Sequence, residues 1–485
     1  MVTSHKAAQS AVWALLESGG VSILSLASLF LMARLVGPAE FGLAALALGI
    51  IQLLTITVEM LLHDALVQRS ELREGQVDTA FWTCLGLGVL FAGLCLVAGD
   101  PLADLFEQPL LGPVVAVAGA SLVFSGLGCV PMALLRRDLK LKPLAIRSLY
   151  GKLAGGVLGV AMAFLGWGVW ALIAQQVVQI AVQALLVWPA CDWRPRLRFS
   201  LPHLKELLGF GAVALSARVI WIATTRLFTI LIGYYLGVAA VGFWNIALRI
   251  VDTLYDLLGG AAHNLALPIF SRRQDDRETL ARAYRSATGF TALTALPVFF
   301  GLAFCAPWAI ELMLGEMWMG AAPMVRILAA VAAINITLLY GNVAIMAVGQ
   351  PGLIVGLSVV SFVCAIGGIA LIRPTELTIV AVIWVCRSIF TAPLLIYFVR
   401  RLFGVSPWAV LREVAVPIAA TAIMVLVLSI LAGTLLFKEP PWLALLVLIP
   451  AGALTYVTVV GIADRAAVRR FTELALVGVK GLRAS

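Results

Sequence analysis

Leu35-Val36-Gly37-Pro38-Ala39-Glu40-Phe41-Gly42 marks the junction of two apolar stretches, 10–34 and 39–62, and it returns 200 residues later as Tyr235-Leu236-Gly237-Val238-Ala239-Ala240-Val241-Gly242. Identities continue at Ala47/Ala247, Leu48/Leu248, Ile50/Ile250, Leu54/Leu254 and His63/His263. Each copy is the turn between the first two apolar stretches of a run of six. Six is an even number of crossings, so the two runs share an orientation and are expected to be related by an axis along the membrane normal.

Working outward, fourteen apolar stretches follow one another: 10–34, 39–62, 78–99, 110–134, 147–166, 168–190, 207–232, 239–265, 287–308, 321–347, 352–372, 376–399, 413–436 and 441–463. A hydrocarbon layer about 30 Å thick needs about 20 residues of helix to cross it, and each stretch is of that order. Hydrophobic residues make up 62% of the chain and charged ones 12%, with a mean hydropathy of +1.04. That composition excludes a soluble globular domain. The expected fold is an all-α polytopic membrane protein of about 14 transmembrane helices around a central cavity. Its expected parts are a six-helix lobe over 1–206, a second over 207–412, two further helices over 413–463 and a cytoplasmic tail over 464–485.

The net charge of +9 is a matter of topology. Connections on the side of the N-terminus carry 25 of the 34 Lys and Arg residues, against 3 on the opposite side. Basic loops stay in the cytoplasm, so both termini are expected there, and nucleic acid is not expected as a partner. The seven cysteines lie in or beside spans without CxxC or Cys/His spacing, so neither metal nor disulfide is implied, and no cofactor motif appears. Met1 to Arg34 reads as a retained first span. A catalytic role for Asp100, Asp104 and Glu107 is disfavoured because their loop, Asp100 to Pro109, is short and reads as a solvated acidic turn. The longest other opposite-side connection, Ala309 to Gly320, is equally short, and the chain is expected not to be an enzyme.

Gly151, Gly155, Gly159 and Ala163 recur at four-residue spacing and predict a helix–helix seam, since close backbone approach holds helices together in lipid. Pro131, Pro297, Pro393, Pro417 and Pro450 fall inside spans and read as kinks. Ionisable residues in a membrane cost at least about 2.5 kcal/mol each and mark function by default. Asn245, Arg249, Asp252 and Asp256 share one helical face, as do Gln52, Thr55, Glu59 and His63. Arg218, Thr225, Arg226 and Thr229 add a third face, and Glu17 lies in the first span. The arginine fork suits phosphate and keeps its charge, so Arg249, Arg218 and Arg226, with Asn245, are expected to bind an anionic head group. Glu17, Glu59, Asp252 and Asp256 are the candidates for ion coupling. The alternative is that the acids merely neutralise the arginines, as Arg249 and Asp252 at i, i+3 could. Lys152, Arg326 and Arg387 read as structural or snorkelling.

The turn at 35–42, together with Pro131-Met132-Ala133-Leu134-Leu135-Arg136-Arg137-Asp138-Leu139-Lys140, Gly166-Trp167-Gly168-Val169-Trp170-Ala171-Leu172 and Trp193-Arg194-Pro195-Arg196-Leu197-Arg198-Phe199, resembles the polysaccharide-transporter (Wzx-type) flippases of the multidrug/oligosaccharidyl-lipid/polysaccharide exporter superfamily. The resemblance implies transport of an undecaprenyl-pyrophosphate-linked oligosaccharide, an O-antigen or exopolysaccharide unit, from the cytoplasmic to the periplasmic leaflet of a bacterial inner membrane. It implies alternating access driven by an ion gradient, and contact with polysaccharide polymerase or export machinery. Related peptidoglycan-lipid flippases carry arginines in spans 1, 2 and 8. Here Arg249 matches the eighth span, whereas spans 1 and 2 carry Glu17 and Glu59, with Arg34 only at the outer end of the first. Two other readings stand beside this one: a multidrug or cation exporter of the same fold, which the arginine surplus disfavours, and a polytopic glycan polymerase or ligase, which the short outward loops disfavour.

Overall fold

The computed structural model describes residues 4–69, 72–208, 212–271, 276–435 and 440–463; side chains are further left out at 4–18, 23, 60, 61, 64, 68, 74, 208, 212–218, 260–269, 271 and 435. Every regular element among the described residues is helical. In chain order these are α1 (Ser4–Leu35), α2 (Pro38–Gln68), α3 (Glu74–Leu105), α4 (Leu111–Arg137), α5 (Leu141–Phe164), α6 (Val169–Leu186), α7 (Leu201–Leu208), α8 (Ala212–Leu236) and α9 (Val238–Ser271). They continue with α10 (Arg277–Leu314), α11 (Ala322–Thr337), α12 (Leu339–Ala347), α13 (Pro351–Phe362), α14 (Gly368–Ile372), α15 (Leu377–Phe403), α16 (Pro407–Leu435) and α17 (Pro441–Ala463). A π-helical turn, Val363–Gly367, joins α13 to α14.

Where its residues are described, each of the fourteen apolar stretches lies mainly on helix; 209–211 of the seventh and 436 of the thirteenth lie outside the described residues. Among the described residues, 12 helical segments are long and apolar enough to cross a membrane. The expected count of fourteen is thus met for twelve. The exceptions are α1, much of whose side-chain detail is left out, and α5, whose 24 residues carry Arg147 and Lys152. The chain is a multi-pass membrane protein. Its outward faces carry exposed Leu90, Val97, Leu426 and Leu454, a surface suited to lipid and not to water.

The contacts divide the molecule into two compact units, Met1–Asn245 with Ala365–Leu377, and Ile246–Cys364 with Thr378–Ser485. In the first, α2 and α4 form the centre, burying Leu43, Leu46, Ala47, Val114, Val115 and Leu122. A second cluster, Val58, Leu62, Leu66, Phe81, Val130 and Leu207, lies toward the other end of α2. The expected small-residue stripe on α5 is a seam against α6: a methyl on Gly155 would come within 2.4 Å of the Gln175 carbonyl oxygen, and one on Gly159 within 2.7 Å of the Gln175 Cβ.

The repeated turn shows why its glycines recur. A Cβ on Gly42 would lie 1.7 Å from the carbonyl oxygen of Val238, and a Cβ on Gly242 would lie 2.1 Å from that of Pro38. Positions 38 and 238, like 42 and 242, are counterparts in the repeat, so the first turns of α2 and α9 cross through reciprocal contacts. Only glycine allows backbones this close.

In the second unit α10, α16 and α17 pack together through Met424, Leu428, Ala444, Leu448 and Tyr456, whose hydroxyl donates to the Leu293 carbonyl at 2.7 Å. Another core gathers Phe270, Tyr284, Tyr340, Leu395 and Phe403. Pro131, Pro297, Pro393, Pro417 and Pro450 all sit inside continuous helices, joined by Pro101 and Pro307.

Candidate functional site

The polar face of α9 is built by spacing alone, because residues at i, i+4, i+7 and i+11 of an unbroken helix point the same way. Arg249, Asp252 and Asp256 are exposed on it, in the span Val238–Gly259. An exposed guanidinium and two exposed carboxylates on a membrane-crossing helix cannot face hydrocarbon, so this face lines water. Asn245 is half-buried, and its amide donates to the Val241 carbonyl at 3.0 Å. That bond within its own helix occupies one of the donors expected to meet a ligand.

The same unit brings a further arginine to the charged stretch. Arg387 of α15 is stacked on Trp384, its guanidinium carbon 4.3 Å from the ring centroid, and its Nη1 donates to Ser361 Oγ of α13 at 3.1 Å. Its Nε is buried without a hydrogen-bond partner among the described residues. The Asp252 carboxylate is an acid whose charge reaches it. Leaving a buried charged donor unmatched costs roughly 1–3 kcal/mol, which favours a water or an anion at that nitrogen. Arg387 reads in sequence as structural or snorkelling, and the stacking on Trp384 with the bond to Ser361 fits the structural alternative. The available signal was an arginine near the middle of a span with an aromatic residue one turn before it. Asn335 of α11 donates to Ser388 Oγ at 3.3 Å, fixing the neighbouring turn of α15.

In the first unit, Arg226 of α8 is half-buried with its stem against α2; its Cδ lies 4.0 Å from where a Cβ on Gly49 would stand. Glu59 is half-buried on α2, and its backbone carbonyl accepts the Cys129 thiol at 3.4 Å. Thr55, Thr225 and Thr229, which sequence spacing counts into the polar faces, donate to the carbonyls of Ile51, Trp221 and Thr225 in their own helices. Their hydroxyls are satisfied locally. The side chains of Glu17 and Arg218 lie outside the described residues. No group of three His, Cys, Asp or Glu among the described residues could hold a metal ion.

This geometry belongs to a chain with clear relatives. A family described as "Polysaccharide biosynthesis protein" matches residues 31–323. The succinoglycan biosynthesis transport protein ExoT of Rhizobium meliloti (strain 1021) is 25% identical over 467 residues, 96% of this chain and 94% of its own length. The teichuronic acid biosynthesis protein TuaB of Bacillus subtilis (strain 168) is 24% identical over 408 residues, 83% of this chain and 84% of its own. Among solved structures, the lipid II flippase MurJ in an inward closed conformation superposes with a TM-score of 0.79 at 14% identity, covering 94% of this chain and 99% of MurJ. An inward-facing multidrug resistance MATE family transporter of the MOP superfamily gives 0.57 at 18% identity, covering 81% and 94%. At these identities the structural likenesses establish the fold.

Proposed function

Because the chain belongs to the polysaccharide biosynthesis protein family, we propose that it carries a lipid-linked oligosaccharide across the membrane that it spans. The substrate in this reading is an undecaprenyl-pyrophosphate-linked repeat unit, moved from the cytoplasmic to the periplasmic leaflet of a bacterial inner membrane. Both termini are cytoplasmic, and lobes over 1–206 and 207–412 alternate access under an ion gradient, with helices at 413–463 and a tail at 464–485 appended. The names of the relatives, a transport protein for succinoglycan synthesis and a protein of teichuronic acid synthesis, support the polymeric sugar.

The observation that carries the proposal is the exposed charged face of α9. A lipid tail can cross the hydrocarbon unaided, whereas a pyrophosphate and a glycan need a polar path. In this reading Arg249 offers a bidentate fork to the pyrophosphate, and Arg218, Arg226, Asn245 and Arg387 are the further candidates to meet it. In this reading Asp252 and Asp256, with Glu17 and Glu59, take the coupling proton or cation. The multidrug-exporter reading rests on a likeness of fold, and a surplus of arginine on the polar faces is the wrong sign for cationic drugs.

The test is flipping of a fluorescent lipid-pyrophosphate oligosaccharide in proteoliposomes, paired with lipid extraction from a deletion strain. Transport in the first and accumulation of the lipid-linked sugar in the second are expected. Transport of cationic dyes with no movement of the sugar lipid would overturn the reading.

A further inference from the structure

The chain between α6 and α7 has no regular structure over 191–200, yet it is fastened along its length. Trp82 Nε1 donates to the Arg196 carbonyl at 2.8 Å, and the Arg196 amide donates to Asp78 Oδ1 at 3.2 Å. The Ser200 amide donates to Thr79 Oγ1 at 3.2 Å. Trp188 and Trp193 stack with centroids 6.3 Å apart, and Phe81 meets both rings edge-on. Beyond it, Glu206 of α7 accepts from Arg69 at 2.9 Å and from Gln76 at 3.0 Å, and Leu207 is fully buried.

A strap held this firmly cannot turn its side chains inward at will, and it holds apolar ones out. Leu197 is 89% exposed, Phe199 55% and Leu201 61%. Exposed Arg196, Arg198 and Lys205 are interleaved with them. Isolated exposed leucines are ordinary, but three large apolar groups among cations within the ten residues 196–205 is the pattern of a segment lying in a membrane interface. The position agrees: α3 begins, and α4 and α6 end, around the strap, at the level where crossing helices finish. Exposed Leu139, Leu185 and Leu186 flank it there. The cations set the sign of the partner, because the acids that flank 194–205 are already engaged, Asp192 by Lys140 and Glu206 by Arg69 and Gln76.

We infer that residues 194–205 form a docking surface for anionic phospholipid head groups, with Leu197, Phe199 and Leu201 set among the acyl-chain roots and Arg196, Arg198 and Lys205 at the phosphates. The inference rests on the strap and not on the transport reading, so either can fail alone. Basic residues beside a membrane contribute about fivefold in affinity each.

The test uses the full chain in phosphatidylcholine vesicles, with and without phosphatidylglycerol. Nitroxides placed through Leu197→Cys and Phe199→Cys are compared with one through Glu278→Cys, an exposed site on α10; the native cysteines are buried or half-buried. Nitroxides at 197 and 199 are expected to collide with oxygen more than with an aqueous nickel chelate, and those at 278 the reverse. Lipid that copurifies with the unmodified chain should be enriched in phosphatidylglycerol, and replacing Arg196, Arg198 and Lys205 by Gln should lower that enrichment about fivefold per cation. Nickel access at 197 and 199 equal to that at 278 would overturn the inference and leave the strap to a soluble protein partner. Enrichment absent from the unmodified chain, or unchanged by the triple substitution, would overturn it as well.

Discussion

The helices α2 and α9 begin alike and end differently. Their first turns cross through Gly42 and Gly242, the first against the Val238 carbonyl and the second against that of Pro38. Further along, α2 buries Val58, Leu62 and His63 and half-buries Glu59, while α9 leaves Arg249, Asp252 and Asp256 exposed. The counterpart of Arg249 is Gly49, and the stem of Arg226 lies beside it. The repeat has therefore kept the positions where backbone geometry permits one residue type. It has let the chemistry diverge where a helix face is free to hold either a neighbour's stem or a charge of its own.

The largest effect should follow from spoiling the crossing. Gly42→Val and Gly242→Val each drive a branched side chain into a carbonyl, and each should cost about 3 kcal/mol or more, read as loss of monodisperse protein and a lower Tm. The reciprocal geometry requires similar losses. If one of them is harmless, the crossing is not shared equally by the two copies.

Next comes the divergent half. Arg249→Ala should reduce transport about a hundredfold with folding and insertion intact, whereas Arg249→Lys should recover part of it, since an ammonium lacks the fork. Arg387→Ala should resemble Arg249→Ala in transport if both hold the head group. Wild-type flipping by Arg249→Ala would break the contrast between the two helices.

A smaller effect, roughly tenfold, is expected from the carboxylates. Asp252→Asn and Asp256→Asn should keep substrate binding and lose the response to an imposed pH or sodium gradient, and Glu17→Gln and Glu59→Gln test the same role in the first helices. If instead the acids only neutralise Arg249, adding Asp252→Asn to Arg249→Ala should restore stability by removing an uncompensated charge. A gradient response unchanged in all four amide variants would leave the structural role.

The smallest effect lies at the strap's anchor. Arg69 and Gln76 donate to Glu206 and hold its carboxyl below the usual carboxylate range. A lowered pKa means that the stabilisation is present above the ordinary value and is lost as pH falls through the depressed one. Trypsin-independent nicking of 191–205, by an acid-active protease, should rise slightly in that window. Glu206→Gln should remove the dependence.

Much of this was legible beforehand for a local reason. Helical spacing is a property of neighbouring residues, so the spans, the α5 stripe and the α9 face could be read directly. The α5 stripe became a seam against Gln175 and Gln179, as small residues in lipid require. Asn245 and the threonines were read too generously: a polar face does not disclose which hydroxyls and amides bond to the turn before them. For Arg387 the sequence offers a structural or snorkelling role without its partners, because these are Trp384 one turn away and Ser361, which lies 26 residues distant.

The sequence by itself determined that this chain crosses the membrane many times and that one turn is used twice. These follow from residue type and short-range period, and the bilayer enforces them because an unpaired backbone group in hydrocarbon is too costly. Only the tertiary structure decided that the two copies of the turn cross through their glycines, that Arg387 shares the surroundings of Asp252, and that the 191–200 segment is strapped down with Leu197 and Phe199 outward. Each of these depends on which distant residues meet. Contact between elements is set by packing of the whole chain, and no local period encodes it.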